Sequence, residues 1–182
     1  AAGVGFPLAR IVVVICLATG AALDAAIGAH SGKGTGELGL IRRLGAALRA
    51  GDVMLADALY CNYFLIASHV RAGVDVLFEQ NGSRTTDFRR GQSLGTRDHI
   101  VHWPRPARPE WMTLEQYREF PKQLQMRETK TDHQVLVTTM LDHRRTTKAE
   151  LADLYARRWN VELDLRNIKT TMGMEALHCL TP

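Results

Sequence analysis

The stretch of sequence that decides the fold is Gly51–Phe78, which reads GDVMLADALYCNYFLIASHVRAGVDVLF. It begins with a short apolar run, Val53–Ala56, which has the length and composition of a buried strand. Residues Tyr63–Arg71 predict a helix, and Val74–Phe78 predict a second strand. A strand, a helix and a strand in this order are typical of α/β architecture.

The same alternation extends to both sides of this stretch. Residues 10–18 form a near-continuous β-branched run, which predicts a strand buried on both faces. Residues 21–29 predict its partner strand, and residues 35–51 predict a helix that a glycine closes. On the other side, Val135–Leu141 predicts a strand that returns to the core.

The composition changes between about Gln80 and Lys130. Arginines there are interleaved with glycines, prolines and two tryptophans, namely Arg84, Arg89, Arg90, Arg97, Arg105, Arg108, Trp103 and Trp111. Short strand-like pieces such as His99–Trp103 alternate with turns, so we interpret this region as an inserted, mostly β subdomain. The predicted division is residues 1–79 and 131–182 for the core, with residues 80–130 inserted between them.

Size and charge set limits on the class of protein. A chain of 182 residues corresponds to one ordinary domain, or to one domain with an insertion. Its 46% hydrophobic content is enough for a sizeable core and too high for a disordered chain. The formal net charge of +4 suits an anionic partner such as DNA. The scattered, odd set of three cysteines indicates reduced thiols.

Residues 148–169 contain neither proline nor glycine, which predicts one continuous helix. At about 100° per residue, the positions of Tyr155, Arg158, Glu162 and Lys169 fall within roughly 60° of one another. An apolar stripe lies beside them and would bury the helix against a core. A carboxylate flanked by cations at the edge of such a packed surface can bind a metal ion or a phosphate.

The spacing Tyr-x2-Arg-x3-Glu-x6-Lys resembles the signature of the bacterial insertion-sequence transposases of the insertion sequence 4 family. Those proteins are DDE enzymes, and the resemblance implies an α/β, ribonuclease H-like mixed sheet flanked by helices, with an inserted mostly β subdomain. It also implies metal-dependent cleavage of DNA strands and strand transfer at transposon ends. The other interpretation of the spacing is a solvated helix face with an ion pair between Arg158 and Glu162.

The resemblance assigns roles to individual residues. Asp57, at the end of a predicted strand, matches the second carboxylate of the catalytic triad, and Glu162 matches the third. The family commonly has arginine after that aspartate, whereas this chain has Ala58. Together Asp57 and Glu162 would hold Mg²⁺, for which Mn²⁺ can substitute, since oxygen ligands favour hard cations. Tyr155, Arg158 and Lys169 would contact DNA phosphates.

The first carboxylate is harder to place. In the family it lies on a strand upstream of the segment that resembles residues 5–26, which puts it before Ala1. Asp24 is the nearest acid in this chain, but it matches a position beyond the second strand. The chain is therefore expected to be a truncated core that is inactive by itself. The alternative is a catalytically inactive DNA-binding or subunit-poisoning remnant of a decayed insertion sequence.

The expected partners are double-stranded transposon ends and target DNA, with a homodimer as the intact enzyme. We expect a cytoplasmic, nucleoid-associated protein with no membrane association, because the apolar run at residues 11–19 is too short to span a bilayer. A signal peptide at residues 10–23 is the alternative interpretation of that run. Trp103 and Trp111 could stack on a displaced base, or they could belong to the core.

Overall fold

The computed structural model of the protein describes residues 9–32, 34–159 and 170. The strands in these ranges are β1 (Ala9–Ile15), β2 (Ala22–Ala29), β3 (Val53–Ala56), β4 (Asp75–Glu79), β5 (Gln92–Gly95), β6 (Asp98–Pro104), β7 (Gln123–Lys130) and β8 (Val135–Thr138). The α-helices are α1 (Glu37–Ile41), α2 (Tyr63–Arg71), α3 (Leu114–Glu119) and α4 (Lys148–Ala156). None of these helices is long and apolar enough to cross a lipid bilayer.

A mixed six-stranded sheet forms the centre of the fold, with the strand order β3-β4-β8-β7-β6-β5. β3 and β4 run parallel, and every other neighbouring pair in this sheet is antiparallel. Helices flank the sheet, so the predicted α/β class is confirmed. The arrangement is the one expected of a ribonuclease H-like fold.

The unit β3–α2–β4 follows the local sequence closely. The side chain of Asn62 accepts a hydrogen bond from the backbone N–H of Leu65 at 3.0 Å, which starts α2 where the sequence predicts it. The helix ends before Gly73, whose φ of +74° suits glycine and lets the chain turn sharply into β4. The predicted strands at Val53–Ala56 and Val74–Phe78 are observed, the second shifted by one residue.

The region between residues 80 and 130 supplies strands β5, β6 and β7 to this same sheet. β7 pairs with β8, the strand that the sequence assigns to the core, in the register Thr129↔Leu136. The hydrogen-bonded ladder therefore runs without interruption from the core strands into this region. The composition of a segment indicates that it forms strands, but it does not indicate which strands they pair with. The division into core and insertion stays a prediction.

Strand β1 differs from the prediction of a strand buried on both faces, which is wrong. It pairs with β2 in a separate two-stranded sheet, and among the described residues it has no second strand partner. Val12 is buried, whereas Ile11 is 56% and Ile27 is 61% exposed. Only one face of this hairpin packs against the core through α1, and its β-branched run could not reveal that.

The helix predicted at residues 35–51 is much shorter in the structure. α1 spans Glu37–Ile41, and a single 3-10 turn follows at Gly45–Ala47. Glycine at positions 39 and 45 disfavours a continuous helix, at roughly 1 kcal/mol each relative to alanine. The helical spacing predicted an apolar face of Leu38, Ile41, Leu44 and Leu48. Ile41 and Leu44 are buried in the core and Leu48 packs against it, whereas Leu38 is only partly buried and Leu40, outside that spacing, is buried.

Buried polar side chains lie on both faces of strands β6 and β7. The guanidinium of Arg127 donates to both carboxylate oxygens of Asp98, at 2.9 and 2.6 Å, and also to the backbone carbonyl of Thr146. On the opposite face of the same strands, Glu128 accepts a hydrogen bond from the indole of Trp103 at 2.8 Å and lies 3.1 Å from the ring of His99. Trp103 is therefore a core residue and is not available to stack on a base.

Candidate functional site

Asp57 lies directly after β3, at the edge of the sheet where the parallel strands β3 and β4 end. Its carboxylate oxygen Oδ1 accepts the backbone N–H of Leu59 at 2.9 Å, which fixes the orientation of the side chain. Asp57 is only partly buried, and it lines a cleft. The strand ends of α/β sheets are where ligands commonly bind, so this position suits a functional carboxylate.

Glu79 is a second carboxylate at this edge, and the sequence analysis did not identify it. It ends β4, whose register with β3 pairs Ala56 with Phe78, so Asp57 and Glu79 are the next neighbours along the two strands. An acidic residue directly after a predicted strand that neighbours the Asp57 strand was the signal available in the sequence. It was missed because the strand was predicted to end at Phe78.

Helix α4 supplies the predicted residue Tyr155 to the same place. The helix begins with a capping box, in which Thr147 and Glu150 satisfy each other's backbone N–H groups. Leu151 and Tyr155 then pack against Leu77 and Leu136 of the sheet. Tyr155 is only 2% exposed, so it is an anchor of the helix as well as a site residue.

The hydroxyl of Tyr155 donates a hydrogen bond to Oε2 of Glu79 at 3.4 Å. Burial raises the pKa of Tyr155 to about 12, and the nearby carboxylates of Glu79 and Asp57 act in the same direction. Arg158 opposes them and lowers this pKa. The phenol is therefore neutral at physiological pH and acts as a hydrogen-bond donor between two carboxylates and a guanidinium.

The sequence predicted one helix over residues 148–169, whereas α4 ends at Ala156, and residues 160–169 lie outside the described residues. Arg158 lies two residues beyond the end of α4, beside the same group of residues. Its guanidinium carbon is 5.4 Å from the centre of the Tyr155 ring and 5.3 Å from that of Trp159. Arg158 also lines the cleft that contains Asp57. The structure thus brings Asp57, Tyr155 and Arg158 together, whereas Glu162 and Lys169 lie outside the described residues.

The cleft beside Asp57 has a volume of about 970 Å³ and separates β1 from β3. Consecutive residues of both strands line it, so the cleft runs along the edges of the two strands. Its walls are mainly apolar, and its polar lining includes Asp57, Arg158 and Tyr60. The Tyr60 hydroxyl donates to Glu37 at 3.3 Å, and burial raises its pKa.

The side chains of Asp57 and Glu79 offer only carboxylate oxygens, which is the type of ligand that hard divalent cations prefer. Within residues 9–32, 34–159 and 170, no group of three or more His, Cys, Asp or Glu side chains could hold a metal ion. Asp57 and Glu79 by themselves therefore do not make up such a group.

Comparison with known proteins connects this geometry to a family. A family model described as a transposase DDE domain matches residues 2–182 of the chain. No curated protein and no solved structure matches it. Domains of this kind act on DNA and use divalent metal ions, which agrees with a basic chain that has carboxylates at the strand ends. With the match covering nearly its whole length, the chain belongs to the transposase DDE domain family.

Proposed function

We propose that this chain is the catalytic core of a cut-and-paste transposase of the insertion sequence 4 family. It would cleave DNA at transposon ends and join the freed 3′-hydroxyl to target DNA. The observation that carries the proposal is the meeting of Asp57 with Tyr155 and Arg158 at one edge of the sheet. The family resemblance selects all three residues, and Asp57 lies about 100 residues away from the other two in sequence. The intact protein would act as a homodimer at the nucleoid.

The side chains have distinct roles in this proposal. Asp57 and Glu162 would hold Mg²⁺, and bound divalent ions stabilise the attacking and leaving oxygens of phosphoryl transfer. Arg158 would bind phosphate oxygens, because its planar fork matches their geometry, and Lys169 would add a point charge. Glu79 would be a positioning residue, since it accepts the hydrogen bond that orients the Tyr155 hydroxyl.

The proposal leaves one carboxylate to place, and we place it on a strand that enters the cleft between β1 and β3. Each of these strands has one edge without a strand partner among the residues that the structure describes. The cleft of about 970 Å³ is lined by residues of both strands, so it opens onto both of these edges.

Amide hydrogen exchange tests this placement. The unpaired edge amides of β1 and β3 are expected to exchange rapidly in the 182-residue chain. They are expected to become protected in a longer version extended at its N-terminus by a strand, because the new strand would pair with both edges. The amides of β7, which is paired on both sides, provide the internal control. Unchanged exchange at both edges in the longer protein would contradict the placement.

Binding to DNA duplexes that carry the transposon ends tests the proposed function itself. Replacing Arg158 with alanine is expected to weaken DNA binding at low salt by roughly 10- to 100-fold. This factor corresponds to the loss of one hydrogen bond to a charged group, which contributes about 1.5–3 kcal/mol. Lys169→Ala should act in the same direction. Glu162→Gln should leave the DNA affinity similar while it removes metal binding. Fluorescence anisotropy with a labelled duplex measures the DNA affinity of each variant.

The matched control for charge is Arg118→Gln, because Arg118 is an exposed cation on α3 and not on α4. Normal end binding by both Arg158→Ala and Lys169→Ala would remove the role assigned to this helix face. Tight, strongly salt-dependent binding without any metal-dependent cleavage by the longer protein would instead favour the alternative, an inactive DNA-binding remnant.

A further inference from the structure

The turn between β5 and β6 carries an arginine in an unfavourable backbone conformation. Arg97 has a φ of +53°, and it is the only non-glycine residue with a positive φ among those that the structure describes. Hairpin turns of this kind favour glycine, asparagine or aspartate, because a larger side chain crowds the backbone in the left-handed region. The side chain of Arg97 is exposed, and retaining it there has a conformational cost.

Other basic residues surround this turn. Lys148, at the start of α4, donates to the carbonyl of Thr96 at 3.0 Å. The buried Arg127 holds the carbonyl of Thr146 at 2.6 Å, which ties the loop before α4 to the same end of the sheet. That loop presents Arg144 and Arg145, both exposed. We call Arg97, Arg144, Arg145 and Lys148 the hairpin-tip surface.

The acidic residues next to these cations are engaged locally. The carboxylate of Asp142 accepts backbone N–H groups of the loop at 2.9 and 3.4 Å, and Glu150 caps α4 through Thr147. The ion pairs in the described part of the chain involve other residues than those of the hairpin-tip surface. Its arginine side chains are therefore available to an anion from outside.

The hairpin-tip surface lies at one end of α4, and the candidate site lies at the other. Seven residues separate Lys148 from Tyr155, which corresponds to about 10 Å along the helix axis. Base pairs in duplex DNA follow one another every 3.4 Å or so, and thus about three base-pair steps span this distance. A duplex lying along α4 would reach from one place to the other.

We propose that the hairpin-tip surface binds the phosphate backbone of duplex DNA independently of base sequence. The inference rests on the proposed function, because it gives the same DNA a second contact beside the cleavage site. Guanidinium groups that are exposed and outside the described ion pairs match phosphate oxygens in charge and in geometry. Contacts of this type set the position of the protein on the duplex and carry no sequence information.

The test uses Arg97→Gly and a duplex of arbitrary sequence without metal ions. Glycine removes the cation and also relieves the backbone strain, so the melting temperature should stay the same or rise while the DNA affinity falls. The slope of log K against log salt concentration is negative, and it should become less negative by about 0.9 when this one contact is lost. For the variant that combines Arg97→Gly with Arg144→Gln and Arg145→Gln, it should become less negative by about 2.7.

Arg118→Gln removes the same charge elsewhere on the surface and should leave the slope unchanged. A wild-type slope in both hairpin-tip variants, together with weaker binding by Arg158→Ala, would overturn this inference and leave the proposed function intact. A loss confined to transposon-end sequences would also overturn it, because it would indicate base readout. If the wild-type chain binds no duplex at all, the inference and the proposed function fall together.

Discussion

Replacing Asp57 with asparagine is expected to lower the affinity of the protein for Mn²⁺ by at least about 100-fold, since the loss of even an outer-shell partner commonly costs 10- to 100-fold. Asparagine retains the side-chain oxygen that accepts the N–H of Leu59, and the local turn should therefore survive. What changes is the negative charge at the end of β3. Electron paramagnetic resonance of free Mn²⁺ during a titration measures the affinity directly and does not require catalytic turnover.

Two further variants make this experiment specific. Asp24→Asn removes an exposed acid on β2, the other aspartate that the sequence analysis weighed, and it should bind Mn²⁺ like the wild type. Glu79→Gln should lower Mn²⁺ affinity less than Asp57→Asn does, because we assign Glu79 to positioning Tyr155. A protein that loses Mn²⁺ binding on Asp24→Asn and keeps it on Asp57→Asn would show that the metal site has been assigned to the wrong strand.

Replacing Arg127 with alanine is expected to lower the free energy of unfolding by about 3–5 kcal/mol. Arg127 is 0% and Asp98 is 5% exposed, and the two form a bidentate pair inside the sheet. Truncating the arginine leaves the aspartate buried without its counter-charge, and that is the source of the cost. The total stability of a domain is only about 5–15 kcal/mol, so urea denaturation should detect the loss easily.

A double variant separates this explanation from a simple loss of packing. Combining Arg127→Met with Asp98→Leu removes both charges and fills the same space with apolar groups, which is often neutral or stabilising relative to a buried ion pair. We therefore expect it to recover most of the stability lost in Arg127→Ala. A single variant within about 1 kcal/mol of the wild type would mean that water reaches Asp98 and screens its charge.

The local features of this protein were readable from its sequence. The bounds of α2 follow from Asn62 as a cap and from the glycine beyond its end, and the short strand before Asp57 follows from its apolar run. The helix that carries Tyr155 begins where its capping box lies. These features depend on contiguous residues, because capping, helical periodicity and turn conformation are decided within a few positions of the chain.

Only the tertiary structure decided how these pieces meet. The sequence identifies β7 and β8 as strands, but their pairing depends on contacts between distant residues that no local pattern records. The same holds for Glu79: the sequence places it at the end of a predicted strand, but only the structure shows the hydrogen bond that it accepts from Tyr155. It also holds for β1, whose β-branched run is compatible with burial on one face or on two. Strand composition specifies an extended backbone, whereas burial and partners depend on what the rest of the chain packs against it.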